Sequence, residues 1–199
     1  KHYNYSKEYI LWSVEKSLNE LHTDYLDLLL LHRPSPLMDP DEITEAVNEL
    51  KENGKILDFG VSNFTPSQVT LIKKKTPVRV NQIEFSLTKH SAMHNGSLDQ
   101  LLEKEITPMS WSPLGSVFKE QSDANSRIKE VLKILTKKYS ATEDQLLLAW
   151  VLKHPSKVHP VIGTTNKERI ANAVMAVNID LELEDWFTLL VACQGYKVP

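Results

Sequence analysis

The sequence predicts an α/β fold of parallel strands, laid out as part of a (β/α)8 barrel. Three observations carry that expectation. Short apolar runs alternate from end to end with amphipathic, capped segments. The first run, Leu26–Leu31, is almost continuously apolar, as in a strand covered on both faces. Polar residues then cluster directly after the runs, at His32-Arg33-Pro34 and at Gly60-Val61-Ser62-Asn63-Phe64, where parallel barrels place their chemistry. An open doubly wound sheet is the alternative, but it usually carries a glycine-rich phosphate turn after its first strand, and His32-Arg33-Pro34 cannot form one.

The elements follow in order. Ser6 can cap a helix whose apolar residues Leu11, Val14, Leu18 and Leu21 recur at helical spacing. After the strand at Leu26–Leu31, Asp39 to Glu42 reads as an acidic analogue of a capping box, with Pro40 at the first helical position. Ile43, Val47 and Leu50 make that helix's buried stripe, and Gly54 suits its stop. A strand is expected over 57–61, a helix opened by Thr65-Pro66-Ser67-Gln68, and a strand over 78–83. Leu98, Leu101 and Leu102 mark a further helix, and 108–112 a fourth strand. Ile128, Val131, Leu132 and Leu135 belong to an extra helix; Thr142-Glu143-Asp144-Gln145 caps the next, which carries Leu146, Ala149, Trp150 and Leu152. The last strand is expected over 158–162, a capping box at Thr165-Asn166-Lys167-Glu168, and a closing helix around Trp186, Leu189 and Leu190. Five strands joined by helices imply parallel pairing with right-handed crossovers. No Gly/Ser-rich linker or repeat divides the chain, so one domain over 1–199 is expected.

Bulk properties exclude several classes. A net charge of -3 leaves no basic footprint for nucleic acid. No run approaches the ~20 apolar residues of a membrane span. Residues 1–9 contain no apolar core of a signal peptide, and a single cysteine, Cys193, excludes an internal disulfide, so a reducing, cytoplasmic setting is expected. Cys193 reads as a small apolar residue on a helix. His90 and His94 have a spacing that could hold zinc on a helix, but Ser91-Ala92-Met93 and Asn95-Gly96 argue for a loop, and no metal is expected. Lys73-Lys74-Lys75 reads as a solvated helix end.

In order and spacing, His32-Arg33-Pro34, Gly60 to Phe64, Asn81-Gln82, Trp111-Ser112-Pro113-Leu114-Gly115 and Ile162-Gly163-Thr164-Thr165 resemble the aldo-keto reductases, nicotinamide-dependent carbonyl reductases on a (β/α)8 barrel. The similarity covers nearly the whole chain, and Pro36-Leu37-Met38-Asp39 and the closing Gly195-Tyr196-Lys197-Val198-Pro199 are similar to a bacterial oxidoreductase branch of that family. The resemblance implies an NADP-dependent reductase of aldehydes and ketones, with NAD the less favoured cofactor and a small carbonyl compound as substrate. It also implies that the 199 residues supply about strands 4 to 8 of the barrel. The family's catalytic tyrosine, lysine and aspartate would then lie in a missing N-terminal segment, and the chain alone is expected to be inactive. Tyr3 and Tyr5 precede a helix and match no catalytic motif.

Residue by residue, the resemblance makes His32 the group that hydrogen-bonds and orients the substrate carbonyl. A histidine at a strand end can equally be structural, bonded to a loop. Ser62, Asn63 and Gln82 combine a hydroxyl with neutral amides, which together offer the donors and acceptors that a carboxamide needs. The family uses matching positions for the nicotinamide. Their alternatives are Asn63 capping the turn before Thr65 and Gln82 tying strand to strand as a buried amide. Trp111 can lie flat against nicotinamide where the family more often has tyrosine; a core tryptophan is the alternative. Ser112, Leu114 and Gly115 resemble the loop along the pyrophosphate, with Gly115 permitting close approach. Gly163, Thr164, Thr165, Arg169 and Asn172 sit around a helix start suited to phosphate, where the family binds the 2′-phosphate of NADP. Many members have lysine at the position of Gly163, and Ala173 follows Asn172 on the adenine side. A non-catalytic, nicotinamide-sensing or partner-binding barrel is the second functional reading. A metal-dependent hydrolase would require His or carboxylate clusters at the strand ends, where His32, Asn63, Gln82 and Ser112 stand instead.

Overall fold

A computed structural model describes residues 3–197, so Val198 and Pro199 lie outside the described residues. The five expected strands are present among those residues, with helix between each and the next. The chain gathers into two compact units, one running up to Ile83 and including Asp99–Pro108, the other formed by Glu84–Leu98 and the residues from Met109 onward.

In the first unit, α1 (Lys7–Leu21) starts at Ser6, whose Oγ accepts from the Tyr9 N–H, and buries Ile10, Val14 and Leu18. It leads into β1 (Leu26–Leu31), α2 (Pro40–Glu52), β2 (Ile56–Ser62), α3 (Pro66–Lys73) and β3 (Val80–Glu84). Both pairings are parallel, Leu31 facing Val61 and Ser62 facing Gln82. Thr65 and Gln68 form the expected reciprocal box at the start of α3. Ile43, Val47, Leu50, Phe59, Val61 and Phe64 are fully enclosed and make the core. Gly60 is required by the sheet, because a Cβ there would stand 2.6 Å from the Val80 carbonyl oxygen.

In the second unit, α4 (Ser97–Glu103), whose first residues belong here, precedes β4 (Thr107–Trp111), α5 (Asp123–Tyr139), α6 (Glu143–Leu152), β5 (His159–Pro160), α7 (Lys167–Val174) and α8 (Leu183–Gln194). β4 and β5 run parallel, with Met109 opposite His159. The core centres on Trp150, stacked on Trp186 at 4.7 Å between ring centroids and 5° between planes. Each indole N–H donates to the other residue's carbonyl, so both polar atoms are satisfied inside an apolar cluster with Phe85, Ile128, Leu132 and Leu146.

Four local expectations are corrected. β1 is not sealed on both faces: Leu31 is buried, whereas Leu26, Leu28, Leu29 and Leu30 keep partial exposure. The strand pairs with β2 alone among the described strands. Asp39 caps α2 through the Asp41 N–H at 2.8 Å, but Glu42 does not complete a box; it accepts instead from the Lys7 N–H of α1 at 2.8 Å. The cap of α7 is Asn166 rather than Thr165: Asn166 Oδ1 accepts from the Arg169 N–H, and with arginine at the third helical position no reciprocal box can form. The last strand shrinks from 158–162 to His159–Pro160, with the Val161 N–H still donating to the Ser110 carbonyl at 2.9 Å. Lys75, read as part of a solvated run, forms an exposed ion pair with Asp41 at 2.7 Å.

Candidate functional site

The candidate residues fall into two groups, one at the strand ends of each unit. In the first unit, His32 directly follows β1 and is exposed, and its imidazole makes no hydrogen bond among the described residues. Tyr3 stands edge-on to it, with ring centroids 6.0 Å apart. At the end of β2 the chain turns sharply, because Asn63 takes a left-handed conformation with φ 60°. The carbonyl of Gln82 organises this corner. It accepts from the Ser62 hydroxyl at 3.0 Å and from the Asn63 N–H at 2.8 Å, and Asn63 Nδ2 then donates to Ser62 Oγ at 2.9 Å. Ser62 is buried with its hydroxyl both donating and accepting. The Gln82 carboxamide makes no hydrogen bond among the described residues and is half-buried, which leaves it able to take a ligand.

Asn63, whose alternative reading is a cap for the turn before Thr65, stands in that turn with its Nδ2 on Ser62 Oγ, and Thr65 caps the following helix. The amide that ties strand to loop is Asn81, not Gln82: Asn81 is 1% exposed and its Nδ2 donates to the Phe64 carbonyl at 3.0 Å. The alternation of β3 explains the exchange, because neighbouring residues point to opposite faces.

The second unit repeats the device. β4 ends in half-buried Trp111, and Ser112 turns the chain with φ 52°. Beyond it lies a cleft of about 910 Å³, in the range of sites for large organic ligands. Two segments far apart in sequence meet there: Ser112, Leu114 and Gly115 on one wall, and Gly163, Thr164, Arg169 and Asn172 on the other. Trp111 and Thr165 do not border the cleft. Arg169, on the first turn of α7, is exposed and makes no ion pair among the described residues. Gly163 faces open space and could carry a side chain without a clash.

Two candidates have structural duties of their own. Asn172 Nδ2 donates to Asp144 Oδ2 at 2.9 Å and to Thr142 Oγ1 at 3.1 Å, and its Oδ1 accepts from Gln145 Nε2 at 2.8 Å. Both amide protons are therefore spent holding α6 against α7. Gly115, with φ 57°, is pressed against the chain itself: a Cβ would lie 2.0 Å from Thr88 Oγ1 and 2.7 Å from Ser86 Oγ. The close approach that demands glycine is thus made by the turn at Ser86–Thr88. The Ser116 N–H donates to Thr88 Oγ1 at 3.0 Å, and buried Asn125 donates to the Ser116 and Glu120 carbonyls, so both ends of the loop are anchored.

Sequence reasoning overlooked Phe118, Lys119, Glu143, Asp144 and Glu168, which also border the cleft. Only the charges near Arg169 offered a signal, and solvated helix starts look the same. His90 is tied down, its Nδ1 2.8 Å from the Leu87 carbonyl, and no group of three or more His, Cys, Asp or Glu suited to a metal occurs among the described residues. Burial pushes the Cys193 thiol up, and its Sγ donates to the same carbonyl. No helix is long and apolar enough to cross a membrane among the described residues.

Comparison with known proteins identifies the family. The profile of the "Aldo/keto reductase family" matches residues 1–190. The chain is 42% identical over its whole length to the uncharacterized oxidoreductase YcsN of Bacillus subtilis, of which it covers 68%. It is 39% identical to the oxidoreductase YdhF of Escherichia coli and 40% identical to a 6-dehydroglucose reductase of Agrobacterium fabrum, again over the whole chain and 67% of each relative. A crystal structure of the thermostable aldo-keto reductase Tm1743, in complex with the inhibitor epalrestat, superimposes with a TM-score of 0.85 at 27% identity, covering 94% of this chain and 67% of that one. The fold is therefore of the α/β type found in those barrel reductases, and the chain belongs to the aldo/keto reductase family of oxidoreductases.

Proposed function

We propose that this chain is the cofactor-holding and carbonyl-orienting portion of an NADP-dependent reductase of small aldehydes and ketones. The observation that carries the reading is the cleft in which Ser112, Leu114 and Gly115 converge with Gly163, Thr164, Arg169 and Asn172. A dinucleotide fits the chemistry of its walls. Arg169 on the first turn of α7 supplies positive charge for a phosphate, its own N–H being held by the Asn166 cap. Thr164 and Ser112 add hydroxyls, Thr165 lies at the rim, and the anchored turn at Leu114-Gly115 presents backbone along the pyrophosphate path. Asn172 acts as part of the wall, its amide fixed by Asp144 and Gln145. With Gly163 in place of a lysine, preference for the 2′-phosphate rests chiefly on Arg169, which makes discrimination against NAD modest.

At the strand ends of the first unit, Gln82 and Asn63 suit a carboxamide such as that of a nicotinamide, with Ser62 fixing the corner; in the second unit, Trp111 offers an aromatic ring face. The bound nicotinamide supplies hydride. His32 donates a hydrogen bond to the carbonyl oxygen of the substrate, which orients the carbon for attack and stabilises charge developing on the oxygen. We propose that the family's proton donor lies in the part of the relatives' length that these residues do not span, and that the 199 residues alone do not reduce carbonyl compounds. We further propose that the chain forms one domain, about strands 4 to 8 of a barrel completed by an N-terminal segment, and works in the cytoplasm. The relatives' additional third of length supports that arrangement.

Titration with NADPH and then NADH, followed by tryptophan fluorescence on chain shown to be folded by circular dichroism, tests the reading. Saturable quenching that is stronger at low concentration for NADPH, and weaker in Trp111→Phe, is the expected outcome. A folded chain that binds neither nucleotide defeats the proposal. Binding by the complete protein without turnover of any carbonyl compound would favour a nicotinamide sensor instead.

A further inference from the structure

The imidazole of His32 raises a mechanical question. To orient a carbonyl it must be held to within a fraction of an ångström, since small misplacements are costly in rate. Yet the ring makes no hydrogen bond among the described residues, and the strand that carries it ends one residue earlier, at Leu31. The restraint must come from elsewhere.

It is supplied by the short segment ahead of α1. The Ser6 N–H donates to Asn4 Oδ1 at 3.0 Å and the Lys7 N–H to Glu42 Oε2 at 2.8 Å, which fixes the entry into the helix. Tyr3 and Tyr5, two apart, lie with their rings stacked, 6.4 Å between centroids and 21° between planes. The Tyr5 hydroxyl donates to the Arg33 carbonyl and accepts from the Arg33 N–H at 3.1 Å. One hydroxyl thus satisfies both backbone groups of a single residue, as a neighbouring strand would. Tyr3, braced on Tyr5, closes edge-on against the His32 ring.

We infer that Tyr5 is a positioning residue for His32, its hydroxyl clamping the backbone next to the imidazole while Tyr3 limits the swing of the ring. The inference rests on the reading of His32 as the carbonyl-orienting group. Half-burial of the Tyr5 hydroxyl raises its pKa, so it keeps the proton that it donates to Arg33. Both clamp bonds vanish in Tyr5→Phe, while the ring that supports Tyr3 remains.

The test compares Tyr5→Phe, His32→Ala and Tyr139→Phe in the complete reductase. Tyr139 is the control, because its hydroxyl also makes two hydrogen bonds, to Asp185 and from the Glu182 N–H, and it neither borders the cleft nor touches His32. Tyr5→Phe is expected to lower kcat about tenfold with KM little changed and NADPH affinity intact. It should also move the His32 ring resonances in a histidine-labelled NMR spectrum. Tyr139→Phe is expected to lower the melting temperature without either effect. If His32→Ala is inactive while Tyr5→Phe keeps the wild-type kcat and resonances, the positioning role is overturned and the His32 reading stands. If His32→Ala retains the wild-type rate, the His32 reading falls and the positioning role with it. A loss of kcat in Tyr5→Phe that vanishes on cooling, in step with recovered folded protein, also overturns the inference.

Discussion

At the scale of single residues, the candidate site is built by backbone conformation as much as by side chains. Asn63 and Ser112 each take a left-handed conformation directly after a strand, and each marks the point where candidate residues leave the sheet. Such conformations cost energy in residues other than glycine and concentrate at functional sites. Gly115 is the sharpest case. A methyl group there meets Thr88 Oγ1 at 2.0 Å in a conformation that side chains disfavour. Gly115→Ala should therefore destabilise the chain by about 1–3 kcal/mol through overpacking and strain, measured by urea unfolding. It should also weaken NADPH binding, since the turn and the cleft wall move together. Unchanged stability would show that the Ser86–Thr88 turn yields easily.

At the scale of elements, helices are joined by polar contacts whose strength depends on pH. Asp185 of α8 accepts from Lys138 Nζ at 2.8 Å and from the Tyr139 hydroxyl at 2.6 Å, both on α5. Burial alone would raise its carboxyl, but these two hydrogen bonds outweigh it and hold the pKa below the ordinary 3.8. A depressed carboxyl contributes stability that is fully present above its unfolded value and lost as pH falls through the folded one. Stability from this contact should thus be constant from pH 7 to about 5 and decline below about 4. Asp185→Asn should flatten that acid limb in melting curves while leaving NADPH binding unaffected. The cluster combines tyrosine, lysine and aspartate, yet the Tyr139 hydroxyl is fully bonded between Asp185 and the Glu182 N–H, which gives it a structural part.

At the scale of the whole molecule, a cofactor that binds only the folded state must raise its stability. NADPH at a hundredfold excess over its dissociation constant should contribute about 2.7 kcal/mol, a rise in melting temperature of roughly 5–10 °C for a chain of this size. A folded chain whose melting temperature ignores both nucleotides would remove the cofactor site. The sequence by itself determined the alternation of strand and helix, the parallel pairing and the polar clusters after the strands. Those features are local: period, capping residues and apolar runs act within a few residues of one another. Tertiary contacts decided the rest. They gave the buried amide to Asn81 in place of Gln82, passed Glu42 from its own helix to the N–H of Lys7, and pressed Gly115 against Thr88. They also spent the Asn172 amide on Asp144 and set the Tyr5 hydroxyl on Arg33. Each depends on which distant segment lies alongside, and residue pattern along the chain carries no record of that neighbour.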